Sequence, residues 1–254
     1  MGVANHRSIA WSTAHLAKEW GAQVAITYQG ERVARKVSAL AGKAGIDICL
    51  SCDVQSDVEI QSTVKRAAEQ LDGLDFIVHS LAFAPSEALS EPFLQTRRSD
   101  YQMAVDVSAY SLVSIARAAK PYLSDTGSLI AMTYLGAERV VPKYNVMGPA
   151  KAALEANIKY LAYELGPQGI RVNGVSAGPV RTLASAGIPG FRTMLKNAAS
   201  NAPLRRTVTA EEVASTTLFL ASPLSRAITG DVIYVDGGYH IMGFSSHEPN
   251  GSAE

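Results

Sequence analysis

Short apolar segments alternate with longer amphipathic segments along most of the chain. The apolar segments are rich in Val and Ile, which predicts strands buried on both faces. The predicted strands are Gln23–Tyr28, Asp47–Cys52, Asp75–Ser80, Ser128–Thr133, Arg171–Ser176 and Asp231–Val235. The predicted helices are Ser8–Gly21, Glu31–Ala44, Val54–Leu71, Asp100–Leu123, Asn145–Leu165 and Ala210–Ala221. This alternation predicts an α/β fold, a doubly wound parallel sheet with helices on both faces and right-handed crossovers.

The start of the chain departs from this pattern. A dinucleotide-binding fold begins with a strand that runs into a glycine loop. Here the first ten residues, Met-Gly-Val-Ala-Asn-His-Arg-Ser-Ile-Ala, look like the loop and the helix start without the strand. No internal repeat or linker is evident, so we expect a single domain over residues 1–254. It would carry a helical insertion at Gly187–Asn201 and a frayed tail at about 244–254.

Composition and charge limit the classes of function. Hydrophobic residues make up 47% of the 254 residues and charged residues 18%, as in globular proteins. Lys plus Arg equal Asp plus Glu at 23 each, which argues against a nucleic-acid partner. There is no apolar run long enough to span a bilayer and no signal peptide, so we expect a cytoplasmic protein without a membrane partner.

Cys49 and Cys52 have the spacing of a redox or metal motif, but they lie in a predicted strand. Residues three apart on a strand point to opposite faces, and a redox pair of this spacing would open a helix. The five His residues show no metal-ligand spacing. We therefore expect no metal site.

The loop from Gly2 to Ser8 enters the first predicted helix, where free N–H groups and the helix dipole suit a pyrophosphate. Ser8 also fits an N-cap, and without a G-x-G-x-x-G motif a plain capped helix is the better interpretation of this loop alone. Gln29 follows the next strand and can bond a ribose hydroxyl, which favours NADH, whereas Arg32 leaves NADPH open. Asp53 could accept the adenine amino group or cap the next helix.

Tyr144 and Lys151 are seven positions apart, which would place them on one face of a helix, two turns apart. Tyr134 follows the strand that ends at Thr133, at the sheet edge where such folds bind ligands. A phenol can donate to a developing oxyanion, and a nearby ammonium would favour negative charge there and could bind the nicotinamide ribose. A Tyr and a Lys at this spacing are common on ordinary helices, so the pair alone does not indicate a catalytic site.

With these residues in place, the whole chain resembles the short-chain dehydrogenase/reductase superfamily. Within it, the chain is similar to the bacterial enoyl-acyl carrier protein reductases of type II fatty acid synthesis. The resemblance rests on Gly-Val-Ala-Asn-x-x-Ser-Ile-Ala at 2–10, Thr-Tyr-Gln at 27–29, Cys-Asp-Val at 52–54, His-Ser-Leu-Ala-Phe-Ala at 79–84, Tyr-Leu-Gly-Ala-Glu-Arg at 134–139, Tyr-Asn-Val-Met-Gly-x-Ala-Lys at 144–151, Arg-Val-Asn-x-x-Ser-Ala-Gly-Pro-x-Arg-Thr-Leu-Ala at 171–184 and Val-Asp-Gly-Gly at 235–238. It implies a single Rossmann-like sheet and reduction of the double bond of a trans-2-enoyl thioester by NADH.

The resemblance also implies residue roles. Tyr144 would stabilise the enolate oxygen of the thioester, Lys151 would hold the nicotinamide ribose, and Tyr134 would line the substrate site. The residues implied to contact the dinucleotide are Gly2, Ser8, Ile9, Gln29, Asp53, Val54, Leu81, Lys151, Val180, Arg181, Thr182, Leu183 and Ala184. The residues implied to contact the substrate are Ala84, Tyr134, Tyr144, Ile188, Phe191 and Met194, the last three in a substrate loop within about 184–201.

The carbonyl-reducing branch of the superfamily uses Tyr-x3-Lys, with a Ser about thirteen residues before the Tyr. Here Ala131 and Gly148 occupy those two positions, which argues against a ketone or alcohol reductase, the first alternative. The second alternative is a non-catalytic dinucleotide-binding paralogue. The absent first strand supports this alternative. That strand would lie in the middle of the sheet, so its absence would leave unpaired backbone groups and an open core. Our hypothesis for that absence is an internal start of the sequence.

The apolar residues of the substrate loop would equally suit ordinary helix packing. Arg192 and Lys196 could meet an acidic carrier protein, although a solvated charged face is the simpler interpretation. By analogy with the family we expect a homotetramer that uses the apolar faces of Asp100–Leu123 and Asn145–Leu165.

Overall fold

The computed structural model describes residues 1–182, 185 and 190–243. The strands in chain order are Ala25–Tyr28 (β1), Ile48–Ser51 (β2), Leu74–His79 (β3), Leu123–Thr133 (β4), Arg171–Ala177 (β5) and Val232–Val235 (β6). The helices are Ile9–Glu19 (α1), Glu31–Lys43 (α2), Asp57–Leu71 (α3), Ser86–Ser90 (α4), Arg98–Val105 (α5), Ser111–Ala119 (α6), Met147–Leu165 (α7), Phe191–Asn201 (α8) and Ala210–Ala221 (α9). Each predicted strand and helix has a counterpart, with ends that shift by a few residues, although one predicted helix is divided in two.

All strand pairs are parallel, and the strands form two sheets. β1 pairs with β2, whereas the larger sheet has the order β3-β4-β5-β6. The first residues of the chain connect the two sheets. The Met1 ammonium donates to Val78 O at 2.6 Å, and the Val3 amide donates to Thr27 O at 2.8 Å. The chain start therefore lies between β1 and β3 and bonds to the carboxyl end of each.

Behind Met1, a cavity of about 440 Å³ separates β1 from β3. It is lined by residues from both strands, including Ala25 and Phe76, and by α1 residues such as Ala14. The structure thus has an open space at the position where a dinucleotide-binding sheet has its first strand, as the sequence pattern predicts.

Helices cover both faces of the larger sheet because its central strand β4 is apolar on both sides. Leu129 and Ala131 of β4 pack into a core cluster with α7 residues such as Ile158. The alternate residue Ile130 packs into a second cluster that includes Val213 of α9. Side chains of a strand alternate between faces, so a strand covered on both sides needs this continuous apolar sequence.

Two helices differ from the periodicity-based predictions. The predicted helix Asp100–Leu123 is divided into α5 and α6 by a π-helical turn at Asp106–Tyr110, and residue Leu123 already belongs to β4. Such a turn inserts one residue into the helical ladder, and apolar periodicity does not reveal it. α7 begins at Met147 rather than at residue 145, because Asn145 has a positive φ of 44°.

No helix in residues 1–182, 185 and 190–243 is long and apolar enough to cross a membrane. In the same residues, no group of three or more His, Cys, Asp or Glu side chains is placed to hold a metal ion. Cys49 and Cys52 are free cysteines, and Cys52 is buried. The predicted tail at 244–254 lies outside the described residues.

Candidate active site

The predicted site residues gather at the carboxyl ends of the strands. Tyr134 directly follows β4, and Leu81 follows β3. Lys151 lies in the second turn of α7, which packs on β4 and β5. The open edge of a parallel sheet at these ends is the usual place for a ligand in this class of fold.

Tyr134 and Tyr144 form an aromatic pair. Their ring centroids are 4.9 Å apart and the rings are nearly perpendicular, at 67°. Burial raises the pKa of Tyr134 to about 12, with smaller contributions from Tyr239 and Asp236. Burial also raises the pKa of Tyr144 well above its ordinary value, and Tyr134 and Glu155 add to this effect. Both phenols therefore keep their protons at neutral pH and can donate hydrogen bonds.

The Tyr144 hydroxyl forms no hydrogen bond within the described part of the chain. Its ring, in contrast, is firmly packed, with only 7% of the residue exposed. Gly136 lies directly against the ring, and a Cβ at that position would overlap Tyr144 Cδ1 and lie 2.8 Å from Cε1. Position 136 therefore requires a glycine because the Tyr144 ring lies so close to it, and not because of its backbone conformation.

Lys151 is buried, with 4% exposure. Its ammonium donates to the backbone carbonyl of Met132 at 2.7 Å and lies 3.5 Å from Leu81 O. Burial lowers its pKa to about 8, although the Glu155 carboxylate acts in the opposite direction. Lys151 therefore carries a positive charge at neutral pH at the point where β3 and β4 end.

The prediction that Tyr144 and Lys151 lie two turns apart on one helix is wrong in its geometry. Tyr144 precedes α7 in a turn, and the left-handed residue Asn145 separates it from the helix. The ammonium bonds to backbone carbonyls, and Lys151 does not contribute to the pKa of Tyr144. Burial, more than Tyr134 or the Glu155 carboxylate, raises the pKa of Tyr144.

A carboxylate that the sequence did not single out lies next to this pair. Thr133, the last residue of β4, donates to Glu155 Oε1 at 2.6 Å. Glu155 is one helical turn after Lys151 on α7, and burial raises the pKa of its carboxyl group. A spacing of 22 residues between the partners explains why no local motif indicates this contact.

Gly2 lies at the proposed cofactor edge, with φ at +95°. A Cβ on Gly2 would overlap Ser80 O and lie 2.9 Å from Leu81 Cδ2, so the backbone approaches the end of β3 closely. Ser8 occupies the N-cap position of α1, but its hydroxyl accepts from the amides of Ala4 and Asn5 instead of capping the helix. Ser8 is therefore the N-cap residue of α1, as predicted, but its side chain does not bond to the amides of the helix.

The first amide of α1, that of Ile9, is also open. No hydrogen bond in the described part of the chain uses the N–H of Ile9. A helix start with a free first amide, next to a closely approaching glycine loop, fits an anionic pyrophosphate, because free N–H groups and the helix dipole both favour negative charge.

Two further predicted cofactor residues follow β1 and β2. Gln29 is exposed directly after β1. Asp53 follows β2, and its carboxylate accepts from the Gln55 amide at 3.0 Å. The N-cap of α3 is Ser56, whose side chain accepts from Glu59, so Asp53 does not cap this helix. Val54 is buried in the core and offers a ligand little side-chain surface.

The predicted residues after β5 are partly described. Val180 is half-buried and Arg181 is exposed. The Thr182 amide donates to Ser185 Oγ at 2.8 Å, which closes a small turn. Leu183, Ala184 and Ile188 lie outside the described residues.

On the substrate side, the structure brings Met194 of α8 to Tyr134, with 3.4 Å between the phenol oxygen and the Met194 sulfur. Both residues line a cavity of about 380 Å³, together with Lys143 and Tyr239. Phe191, the first residue of α8, is half-buried. Ala84 lies before α4 and packs, half-buried, against the core cluster that contains Tyr144.

Proteins of one known family match nearly the whole chain. The model of a protein family described as Enoyl-(Acyl carrier protein) reductase matches residues 2–240. The chain is 48% identical to the enoyl-[acyl-carrier-protein] reductase [NADH] FabI of Bacillus subtilis (strain 168), over 95% of this chain and 94% of that protein.

Solved structures of similar proteins share the whole fold. The enoyl-acyl carrier protein reductase of Bacillus cereus, solved with NADP+ and indole naphthyridinone, has a TM-score of 0.93 and 46% identity, with 96% of each chain covered. The corresponding reductase of Anaplasma phagocytophilum, solved in complex with NAD, has a TM-score of 0.91 and 41% identity, with 96% of this chain and 92% of that chain covered.

Proposed function

The chain belongs to the enoyl-(acyl carrier protein) reductase family, and we propose that Tyr144, Tyr134 and Lys151 form its active site. The enzyme reduces the 2,3 double bond of trans-2-enoyl thioesters carried by acyl carrier protein, with NADH, in fatty acid biosynthesis.

The observation that carries the residue assignment is the state of the Tyr144 phenol. It is buried and held edge-on against Tyr134, and its raised pKa keeps it protonated. Its hydroxyl has no partner among the described residues, so it is available to a substrate. In this proposal Tyr144 donates to the thioester oxygen as negative charge develops there. A preorganised donor of this kind contributes about 10²–10³ to kcat.

Bound NADH supplies the hydride that reaches the β-carbon of the enoyl thioester. The residues of this chain that would hold the cofactor are those at the carboxyl edge of the sheet. Gly2 and the start of α1 suit the pyrophosphate, Gln29 suits a ribose hydroxyl, and Lys151 would donate to the nicotinamide ribose. A neutral Gln29 favours NADH, and NADPH is the less favoured cofactor.

The acyl chain would enter beside α8. Met194 lies against Tyr134, Ala84 packs against the core cluster of Tyr144, and Phe191 begins the same helix as Met194. We propose that the segment at about 184–201 is the substrate loop, of which Ile188 would also be a part. Closure of such a loop excludes water while charge develops on the substrate.

The geometry supports carbonyl reduction less well. A catalytic lysine four residues after Tyr144 would replace Gly148, where a Cβ would lie 3.0 Å from Gly136 O. The serine position of the carbonyl-reducing branch is Ala131, whose methyl group is fully buried in the core. Neither position offers a polar group to a ketone.

We propose that residues 1–254 act as one domain within a homotetramer. Exposed aromatic side chains on α7, Tyr160 and Tyr163, and Tyr110 in the π-helical turn before α6 support an interface on these helices. Light scattering tests this proposal, and a monomer would refute it. A cytoplasmic location is a further proposal, to be tested by cell fractionation.

The residue roles are tested by NADH consumption with a trans-2-enoyl thioester in wild type, Tyr144→Phe and Tyr122→Phe. Tyr122 is a half-buried tyrosine directly before β4, at the opposite edge of the sheet, and is the matched control. We expect kcat to fall by about 10²-fold in Tyr144→Phe and to stay unchanged in Tyr122→Phe. Equal rates in wild type and Tyr144→Phe would refute the assignment of Tyr144.

A further inference from the structure

The two neighbours of Tyr144 have unusual backbone conformations. Lys143 and Asn145 have positive φ values of 66° and 44°. In the described part of the chain, the other residues with positive φ, glycines excepted, are Asp72 and Arg205. Left-handed conformations strain residues that carry a Cβ, and they persist where the surrounding structure holds them. Asn tolerates this conformation better than most residues, because its short amide can bond locally.

The Asn145 side chain bonds to a distant segment. Its amide nitrogen lies 2.8 Å from Glu91 O, 3.2 Å from Leu89 O and 3.4 Å from Ala88 O. These carbonyls belong to the last turn of α4 and the residue that follows it. The last carbonyls of a helix have no partner inside the helix, so the Asn145 amide supplies donors that α4 itself lacks.

The segment that Asn145 holds packs in the same core cluster as Tyr144. Ala84 leads into α4, and Ala88 and Leu89 of α4 pack in the same cluster as Tyr144. The contact therefore joins two parts of the chain that are more than fifty residues apart.

We propose that Asn145 is a positioning residue, which fixes the position of the Tyr144 hydroxyl relative to the Ala84 side of the substrate site. It does so by combining a left-handed backbone directly after Tyr144 with an amide that clamps the end of α4. Asn145 acts through Tyr144 and does not itself touch the reacting atoms. The inference rests on the proposed role of Tyr144.

Substitutions can separate the backbone conformation from the clamp. Asn145→Gly keeps access to positive φ and removes the amide, so we expect a native fold and a kcat lowered by roughly tenfold or more. Asn145→Asp keeps the shape but directs a carboxylate at three carbonyl oxygens, so the loss should be at least as large. NADH affinity, measured by fluorescence, should stay within twofold of wild type in both variants.

The matched control is Asp72→Ala. Asp72 is the left-handed C-cap of α3, with φ at 58°, at the opposite edge of the sheet. This substitution strains the backbone without touching the site, so it should lower the melting temperature and leave kcat unchanged. A kcat loss in Asp72→Ala equal to that in Asn145→Gly would show that general destabilisation explains both and would overturn the proposal.

A double-mutant cycle with Tyr144→Phe distinguishes positioning from mere structural support. If Asn145 works by placing the Tyr144 hydroxyl, Asn145→Gly should lower kcat less than twofold once that hydroxyl is gone. Additive losses would overturn the inference, as would a wild-type kcat in Asn145→Gly. If Tyr144→Phe is slow and Asn145→Gly is normal, only the inference fails. If Tyr144→Phe keeps the wild-type rate, the proposed role of Tyr144 fails, and the inference fails with it.

Discussion

Gly136→Ala should reduce catalysis by moving Tyr144. Gly136 lies in a short 3₁₀ turn after β4, and its Cα faces the Tyr144 ring. An alanine Cβ would overlap Tyr144 Cδ1 and lie 2.8 Å from Cε1. Carbon atoms of packed side chains lie about 3.5–4.0 Å apart, so the ring must move by about 1 Å. Tyr134 packs edge-on against the same ring and limits where it can go.

The expected magnitude follows from this displacement. A misplacement of about 1 Å at a reacting group can lower the rate by about 10²-fold. Overpacking a buried site also lowers the free energy of unfolding by about 1–3 kcal/mol. We therefore expect Gly136→Ala to be folded at room temperature but to have a kcat between one and two orders of magnitude below wild type, with NADH affinity unchanged.

The assay is the steady-state rate of NADH oxidation with a trans-2-enoyl thioester, beside thermal unfolding. Gly42→Ala is the control, because Gly42 lies in α2 with no atom within 4 Å of its Cβ position. It should keep the wild-type kcat and gain about 0.5 kcal/mol of stability. A kcat within twofold of wild type in Gly136→Ala would refute the reasoning, and so would an equally large loss in a Tyr144→Phe background.

Other predictions concern the cofactor edge and the stability of the fold. The Kd for NADH should rise with pH through about 8, because the buried Lys151 ammonium loses its proton there instead of near 10.5, and a flat Kd between about pH 6.5 and 9.5 would contradict this. Gly2→Ala should weaken NADH binding at least tenfold by overlap with Ser80 O, as measured by fluorescence titration. Gly21→Ala, also at positive φ but in open space, should lower only the stability, by about 1–2 kcal/mol, and equal NADH affinities of the two variants would argue against the overlap. Thr209→Ala removes the capping box of α9 and should cost about 1 kcal/mol in thermal unfolding at unchanged kcat, whereas an unchanged melting temperature would contradict it.

The layers of the fold can be predicted from the apolar pattern of the sequence. For example, β4 is buried on both faces, and its sequence includes a continuous apolar run. The ends of elements follow less well. β4 begins at Leu123 since that residue pairs with Leu74, across a register shift that no local pattern indicates. Apolar periodicity also does not indicate the π-helical turn at Asp106–Tyr110.

The candidate active site could likewise be predicted only in part. Tyr144 and Lys151 are recognisable from their spacing and from family motifs, whereas their geometry is not. The left-handed Asn145 separates Tyr144 from α7, and its side-chain amide bonds to carbonyls at the end of α4. The contact of Thr133 with Glu155 likewise joins a strand to a helix. Such features arise from tertiary contacts between distant segments, which sequence spacing does not report.

The most direct test of enoyl reduction offers the purified enzyme NADH with equal concentrations of a trans-2-enoyl thioester and the matching 3-oxoacyl thioester. The products are identified by mass spectrometry. We predict that the saturated acyl thioester accumulates in step with NADH loss and that the 3-oxoacyl thioester remains. Accumulation of the 3-hydroxyacyl thioester would contradict the assignment in favour of carbonyl reduction, and NADH binding without any product would contradict catalysis itself.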